Sequence, residues 1–186
     1  MAYRNLASYI YKIVKGLLAI TVRFYDDANK KNGTQWGASR RITGVADGAK
    51  LYSIIKTRDL PVDLKAREFS YTGNGVIARF YTGFTPVALP AEEAVFNLRP
   101  ANAAVRDFSL YAVAAPASLG TPWSYELFVE GNTSNQGRGD PDVQKGYGWI
   151  IDPDTEVLLE IESLGAQNIS ATLIMYNGEL DLPLKD

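Results

Sequence analysis

The sequence predicts an all-β protein: an antiparallel, jelly-roll-like β-sandwich of about eight strands, preceded by an N-terminal arm with a short amphipathic helix. Three observations lead there. Beyond residue 45 the chain is a succession of short apolar-rich runs separated by Gly, Pro, Asn and Asp clusters, with little helical periodicity. The connections are short, which implies antiparallel pairing. No internal repeat is visible, which sets aside propellers and solenoids, and the uneven loop lengths favour a sandwich over a closed barrel.

The elements follow in order. Over residues 5–18, Leu6, Ile10, Ile13, Val14, Leu17 and Leu18 recur at spacings of three and four, the pattern of an amphipathic helix. Asn5 is a candidate cap, and Gly16 weakens the helix by roughly 1 kcal/mol. Residues 19–25 turn β-rich. Residues 26–39 are polar and small, with Gly33, Gly37 and an isolated Trp36, and read as a loop or linker. The expected division is therefore an arm and linker over 1–45 and a sandwich over 46–186.

Within the sandwich, strands are expected at 50–56, 62–71, 76–81, 108–114, 123–130, 147–151, 156–163 and 169–177. Thr72-Gly73-Asn74-Gly75 reads as a hairpin turn joining 62–71 to 76–81, because Asn-Gly accepts positive φ at little steric cost. Residues 85–90 form a Pro-bounded loop, 91–98 are ambiguous, and 131–146 form a long Gly/Asn/Asp loop.

Composition narrows the chemistry. The 186 residues are 46% hydrophobic and 22% charged, which is ordinary for a globular chain. There is no Cys and no His. That removes disulfides, thiolate nucleophiles, imidazole bases, the Ser-His-Asp triad and Cys- or His-based metal sites. No cofactor or metal site is expected. Catalysis, if present, must use carboxylates, Lys or Tyr. The acids best grouped are Asp140-Pro141-Asp142 and Asp152-Pro153-Asp154. A glycosidase needs two carboxylates about 5–10 Å apart, but Asp-Pro-Asp is also good turn chemistry. Calcium in such a loop is a small residual reading, because no EF-hand spacing is present. No catalytic residue is assigned, and enzymatic activity is not expected.

Other short motifs carry little. Arg138-Gly139-Asp140 spells an integrin-ligand tripeptide, and Asn32, Asn132 and Asn168 open glycosylation-type triplets. Both patterns recur by chance. Gly73, Gly75 and Gly83 lack the following helix that a phosphate cradle requires. No run reaches the length of a membrane span, and residues 16–22, bounded by Lys15 and Arg23, make a poor signal peptide. Synthesis in a cytoplasm is the expectation, with no membrane partner.

Charge is uneven. Residues 1–41 carry +6 and residues 42–186 carry −8, summing to the net −2. A basic start on an acidic body suits an arm that docks on an acidic partner, including another copy of the chain; chance clustering is the alternative. Tyr3, Tyr9 and Tyr11 stand beside Arg4 and Lys12. Tyr and Arg are enriched at protein interfaces, and the acidic body argues against nucleic acid. The candidate interface residues are Tyr3, Tyr9, Ile10, Tyr11, Ile13, Val14, Leu17, Leu18 and Trp36. Trp123 and Trp149 are expected in the core.

The β-rich body without His or Cys, the run Leu158-Leu159-Glu160-Ile161-Glu162-Ser163-Leu164-Gly165 and the ending Ser170-Ala171-Thr172-Leu173-Ile174-Met175-Tyr176-Asn177-Gly178-Glu179-Leu180 give the chain a resemblance. It resembles the small virion structural proteins of tailed bacteriophages, of the head decoration or minor head type. The resemblance covers residues 50–180 in general style and carries no diagnostic motif. It implies a β-sandwich that assembles as a homo-oligomer on a phage particle, with major capsid or other virion proteins as partners and an arm reaching a neighbour. It implies location in the virion, after assembly in the host cytoplasm. The alternative is a receptor- or carbohydrate-binding module of a tail or fibre, using residues 131–146. A carboxylate-dependent glycoside hydrolase stands third.

Overall fold

The computed structural model describes residues 10–14, 17–21, 25–130 and 149–177. Two antiparallel sheets face one another. The first has the order β11(Trp149–Ile151)–β5(Val62–Tyr71)–β13(Gln167–Asn177)–β3(Gln35–Val45)–β7(Phe96–Asn97). The second runs β10(Leu127–Glu130)–β6(Gly75–Thr82)–β12(Glu156–Ser163)–β4(Lys50–Thr57)–β8(Phe108–Val113), and the two-residue β9(Thr121–Pro122) also pairs with β6.

Eight of these strands form nested hairpins. β3 pairs with β13, β4 with β12, β5 with β11 and β6 with β10. This long ribbon is rolled so that β13 also meets β5 and β12 also meets β6. That is the jelly-roll arrangement, and the expected fold class holds. β7, β8 and β9 lie in the long connection from β6 to β10, and β7 and β8 extend the two sheets at one side.

Apolar residues fill the space between the sheets in two groups. One gathers Trp36, Ile55, Leu64, Phe80, Phe108 and Leu159, among others, with Trp123 and Trp149 packed against it as expected. The other gathers Phe69, Tyr71, Val76, Val129 and Ile169. Each fully buried side chain of this size contributes roughly 1.5–3 kcal/mol. A third group, Tyr52, Ile54, Tyr81 and Leu158, lies on the outer face of the second sheet. The β6–β10 connection covers it with Phe84, Val87 and Leu119.

Four expectations are corrected. The helix over 5–18 is absent where the structure describes this segment. β1(Ile10–Val14) and β2(Leu17–Thr21) pair antiparallel from Ile10↔Thr21 to Val14↔Leu17. Ile10, Tyr11, Ile13 and Val14 in the first run and Ile20 and Thr21 in the second favour extended backbone over helix.

The linker over 26–39 is instead α1(Tyr25–Asn32) followed by β3. Lys30 and Lys31 in the last turn of α1 complement the helix dipole. Gly33, at φ 74°, ends it in a Schellman motif: Gly33 N–H donates to Lys30 O and Thr34 N–H to Asn29 O. The sandwich therefore begins with β3, at Gln35, ahead of the expected boundary at 46.

Trp36, expected at an intermolecular contact, is 8% exposed and meets Phe108 edge-on at 6.4 Å. Lastly, β5 and β6 do not form a hairpin: they lie in different sheets, and residues 72–74 carry the chain across. Gly75 does adopt positive φ, at 118°. The turn chemistry was legible but its partner was not.

Candidate functional site

A one-residue irregularity in β5 builds the most distinctive feature of the interior. Leu64 pairs with Met175 and Ala66 with Ile174, so Lys65 is the extra residue of a bulge. Strand alternation alone would place Val62, Leu64 and Ala66 on one face and Arg67, Phe69 and Tyr71 on the other. The bulge reverses the second half. Val62 and Leu64 belong to one interior group and Phe69 and Tyr71 to the other. Arg67 turns inward with them.

Arg67 is 2% exposed. Its guanidinium lies 4.1 Å from the centroid of Phe80 and 4.4 Å from that of Trp149. Phe80 and Trp149 themselves meet edge-on at 5.3 Å. Stacking on two rings offsets part of the desolvation cost. Burial still brings the Arg67 pKa down to about 10, so the group remains a cation at neutral pH.

Beside Arg67 the sandwich is not filled. A cleft of about 60 Å³ opens between the two apolar groups. Its cause is readable in the register. Ala38, Ala171, Ser53 and Ala78 stand at inward-facing positions where larger residues would close the roughly 10 Å gap between sheets. Leu110, Leu159, Leu173, Phe69 and Phe80 form the other walls. An unfilled 60 Å³ costs on the order of 1–1.5 kcal/mol. At the mouth stand Ser39, Arg40, Glu93 and Ala94. Arg40 pairs with Ala171 in the register, sits on the inward-facing side of β3 and is exposed. The mouth falls where β7 stops: β7 covers β3 only at Trp36 and Gly37.

The outer face of the second sheet carries a charged network. Arg79 Nη1 donates to Glu160 Oε1 and Glu162 Oε2, both at 2.7 Å, and its Nε donates to Glu126 at 2.7 Å. Lys50 Nζ lies 3.5 Å from Glu160 and 3.8 Å from Glu162. The Glu160 side chain has no solvent exposure. Tyr52 lies opposite it in the register, and its phenol is pushed up to about 12 by burial and then by the Glu160 charge. Arg79 and Lys50 hold the Glu162 carboxyl below its ordinary value. Every acid here faces a cation, so the arrangement ties β4, β6 and β12 together and reaches Glu126 just ahead of β10.

The residues named from sequence fall as follows. Ile10, Tyr11, Ile13 and Val14 are in β1, and Leu17 and Leu18 in β2. This hairpin is a sheet of its own, paired with neither sheet of the sandwich among the described residues. Tyr3 and Tyr9 lie outside the described residues, as do Asp140, Asp142 and the long loop over 131–146. Asp152 and Asp154 are exposed in the turn between β11 and β12. Asp152 O accepts from Thr57 Oγ1 at 2.7 Å, and Asp154 N–H donates to Arg58 O at 2.8 Å with φ 54°. This is the turn reading of Asp-Pro-Asp. Arg67, Arg40 and the alanines of the cleft were missed. The only available signal was an Arg inside an otherwise core-like strand, and strict alternation assigns it to solvent.

No family model, curated protein or solved structure matches this chain.

Proposed function

We propose that the protein is a non-enzymatic structural subunit that assembles with copies of itself, and that its place is the virion of a tailed bacteriophage, as a capsid decoration or minor head protein. One observation carries the assembly reading. Among the described residues the β1–β2 hairpin, Ile-Tyr-Lys-Ile-Val against Leu-Leu-Ala-Ile-Thr, pairs with no other strand. A lone two-stranded hairpin is marginally stable in water and needs an apolar surface to rest on. A neighbouring copy supplies one.

Further support comes from the β6–β10 connection. It exposes Phe96 at 66%, Val105 at 86%, and Leu89 and Leu98 at 40% each. Apolar side chains grouped on one excursion favour association. The uneven charge adds an attraction between a basic start and an acidic body, screened within about 8–10 Å at physiological salt. The virion assignment rests on the resemblance of the sequence together with the jelly-roll body.

The test is the mass of the full chain in solution by sedimentation across a salt series, with immunogold labelling of phage particles whose genome encodes it. A salt-weakened oligomer and labelled particles are expected. A monomer at all concentrations would overturn the assembly reading, and unlabelled particles the virion reading.

A further inference from the structure

We propose that the open edge of β3 beyond Gly37 receives residues 179–184 of a second copy as an added strand. The inference rests on the assembly reading and supplies a contact that the β1–β2 hairpin does not make.

The edge comes first. β3 runs from Gln35 to Val45, but β7 pairs with it only at Trp36 and Gly37. Among the described residues no strand covers Ser39–Thr43 on that side, so alternate peptide groups there face away from β13 without a ladder partner. Ser39, Arg40, Arg41 and Thr43 are exposed accordingly. The second sheet stops short in the same place. β8 covers β4 from Tyr52 to Thr57 and leaves Lys50 and Leu51 beyond it. An apolar strip with Ala38, Ile42 and Leu51 therefore opens between the two sheet edges. An exposed edge of this kind is a template for a strand from another chain.

The occupant is chosen by pattern and charge. Residues 179–184 read Glu-Leu-Asp-Leu-Pro-Leu. As a strand they put Leu180, Leu182 and Leu184 on one face and Glu179, Asp181 and Pro183 on the other. β3 presents the complement: Ala38 and Ile42 face inward, and Ser39, Arg41 and Thr43 alternate outward. Laid along this edge, the leucines cover the apolar strip and the two acids stand beside Arg41, an opposite-charge cross-strand pairing. The β1–β2 hairpin brings Lys12 and no acid, a poorer match for a basic edge. Pro183 suits the strand that becomes the new edge and blunts it against a third chain.

Length selects a second copy over the same chain. Asn177 is tied down at the far end of β3: its N–H donates to Thr34 O at 3.0 Å and its side-chain amide to Val105 O at 2.9 Å. From there the edge beside Ser39 lies roughly 16 Å along β3 and roughly 10 Å across the sheet, with β7 in the direct path. The three residues to Leu180 span at most about 11 Å. A neighbouring chain has no such limit.

The test is hydrogen exchange at Ser39–Thr43 in the full chain across a dilution series, with sedimentation alongside. Protection should rise with concentration and exceed that of the double variant Leu180→Asp/Leu182→Asp by at least about tenfold. A synthetic peptide of residues 178–186, added in excess, should restore protection to that variant. Arg41→Glu, added to the variant at an exposed position, should weaken the peptide several-fold, and a peptide carrying Glu179→Lys and Asp181→Lys should recover it. Changes in a peptide cannot unfold the body. Protection that the double variant keeps, a peptide without effect, or protection independent of concentration would overturn the proposal, the last pointing to the chain's own segment. An oligomer with an unprotected edge would overturn this contact alone and leave the assembly reading standing. A monomer at all concentrations would overturn both.

Discussion

The guanidinium of Arg67 in the first sheet stacks on the ring of Phe80 in the second, 4.1 Å from its centroid, and so joins the two layers through the interior. The contact depends on a planar cation. Arg67→Lys keeps the charge and removes the plane, and a buried ammonium is the harder ion to strip of water. The variant should lose about 1–2 kcal/mol of stability. Chemical denaturation measures it, and an unchanged midpoint would show that the stack contributes nothing net.

Gly120 pins the β6–β10 connection. Its φ is 76°, and a Cβ there would meet Thr82 O at 2.2 Å and Gly83 C and Phe84 N at 2.6 Å, all backbone atoms. Neither strain nor clash can be relieved by turning a side chain. Gly120→Ala should cost about 2–3 kcal/mol. The connection should lift from the outer face first, exposing Tyr52, Tyr81 and Leu158, and faster hydrogen exchange in β4 and β6 would report it. Unaltered exchange there would mean that the cover is held elsewhere.

Glu162 makes stability depend on acid. Its folded carboxyl sits below the ordinary 4.5 because Arg79 and Lys50 favour the charged form. The contribution is therefore present above pH 4.5 and is lost as pH falls through the lower folded value. Glu162→Gln should be less stable at neutral pH by about 1 kcal/mol or less, since the pair is partly solvated. The gap between variant and wild type should close in acid. A constant gap from pH 7 to pH 2, on roughly that scale, would remove Glu162 as the source.

Two truncations separate arm from body. Removing residues 1–24 should leave a folded sandwich that associates poorly. Removing 1–41 takes most of β3, which β13 pairs from Gln35 to Val45, and the sheet cannot close without it. That product should be unfolded by circular dichroism. A folded 42–186 chain would show that β3 is dispensable, against its place between β13 and β7.

What the sequence disclosed follows a physical division. β12 was legible to the residue, Glu156–Ser163, because its inward positions are apolar on one sheet face and a turn bounds each end. β8 was nearly so. Partners were less legible than strands. Asn74-Gly75 specifies a backbone angle, and the same positive φ serves a hairpin or a crossing between sheets. Residues 10–21 satisfy helical and strand periodicity at once, and the β-branched content decides between them. The site was hidden for a further reason. A bulge is set by the register of two strands distant in sequence, so nothing local to Lys65 announces that Arg67 will face inward.

The nesting of β3 with β13 has a consequence for how the chain is made. β13 is the last strand described, yet it lies between β3 and β5 in the middle of its sheet. During synthesis the first sheet cannot form until Asn177 has left the ribosome. Until then β3 and β5 each present an unpaired edge, and every pairing they await spans a long loop. Such non-local topologies fold slowly, on about the millisecond-to-second scale, and expose strand edges meanwhile. The exposed Arg40 and Arg41 in β3 and the bulge at Lys65 in β5 place charge and irregularity on those two edges, which are the devices that discourage one nascent chain from pairing with another.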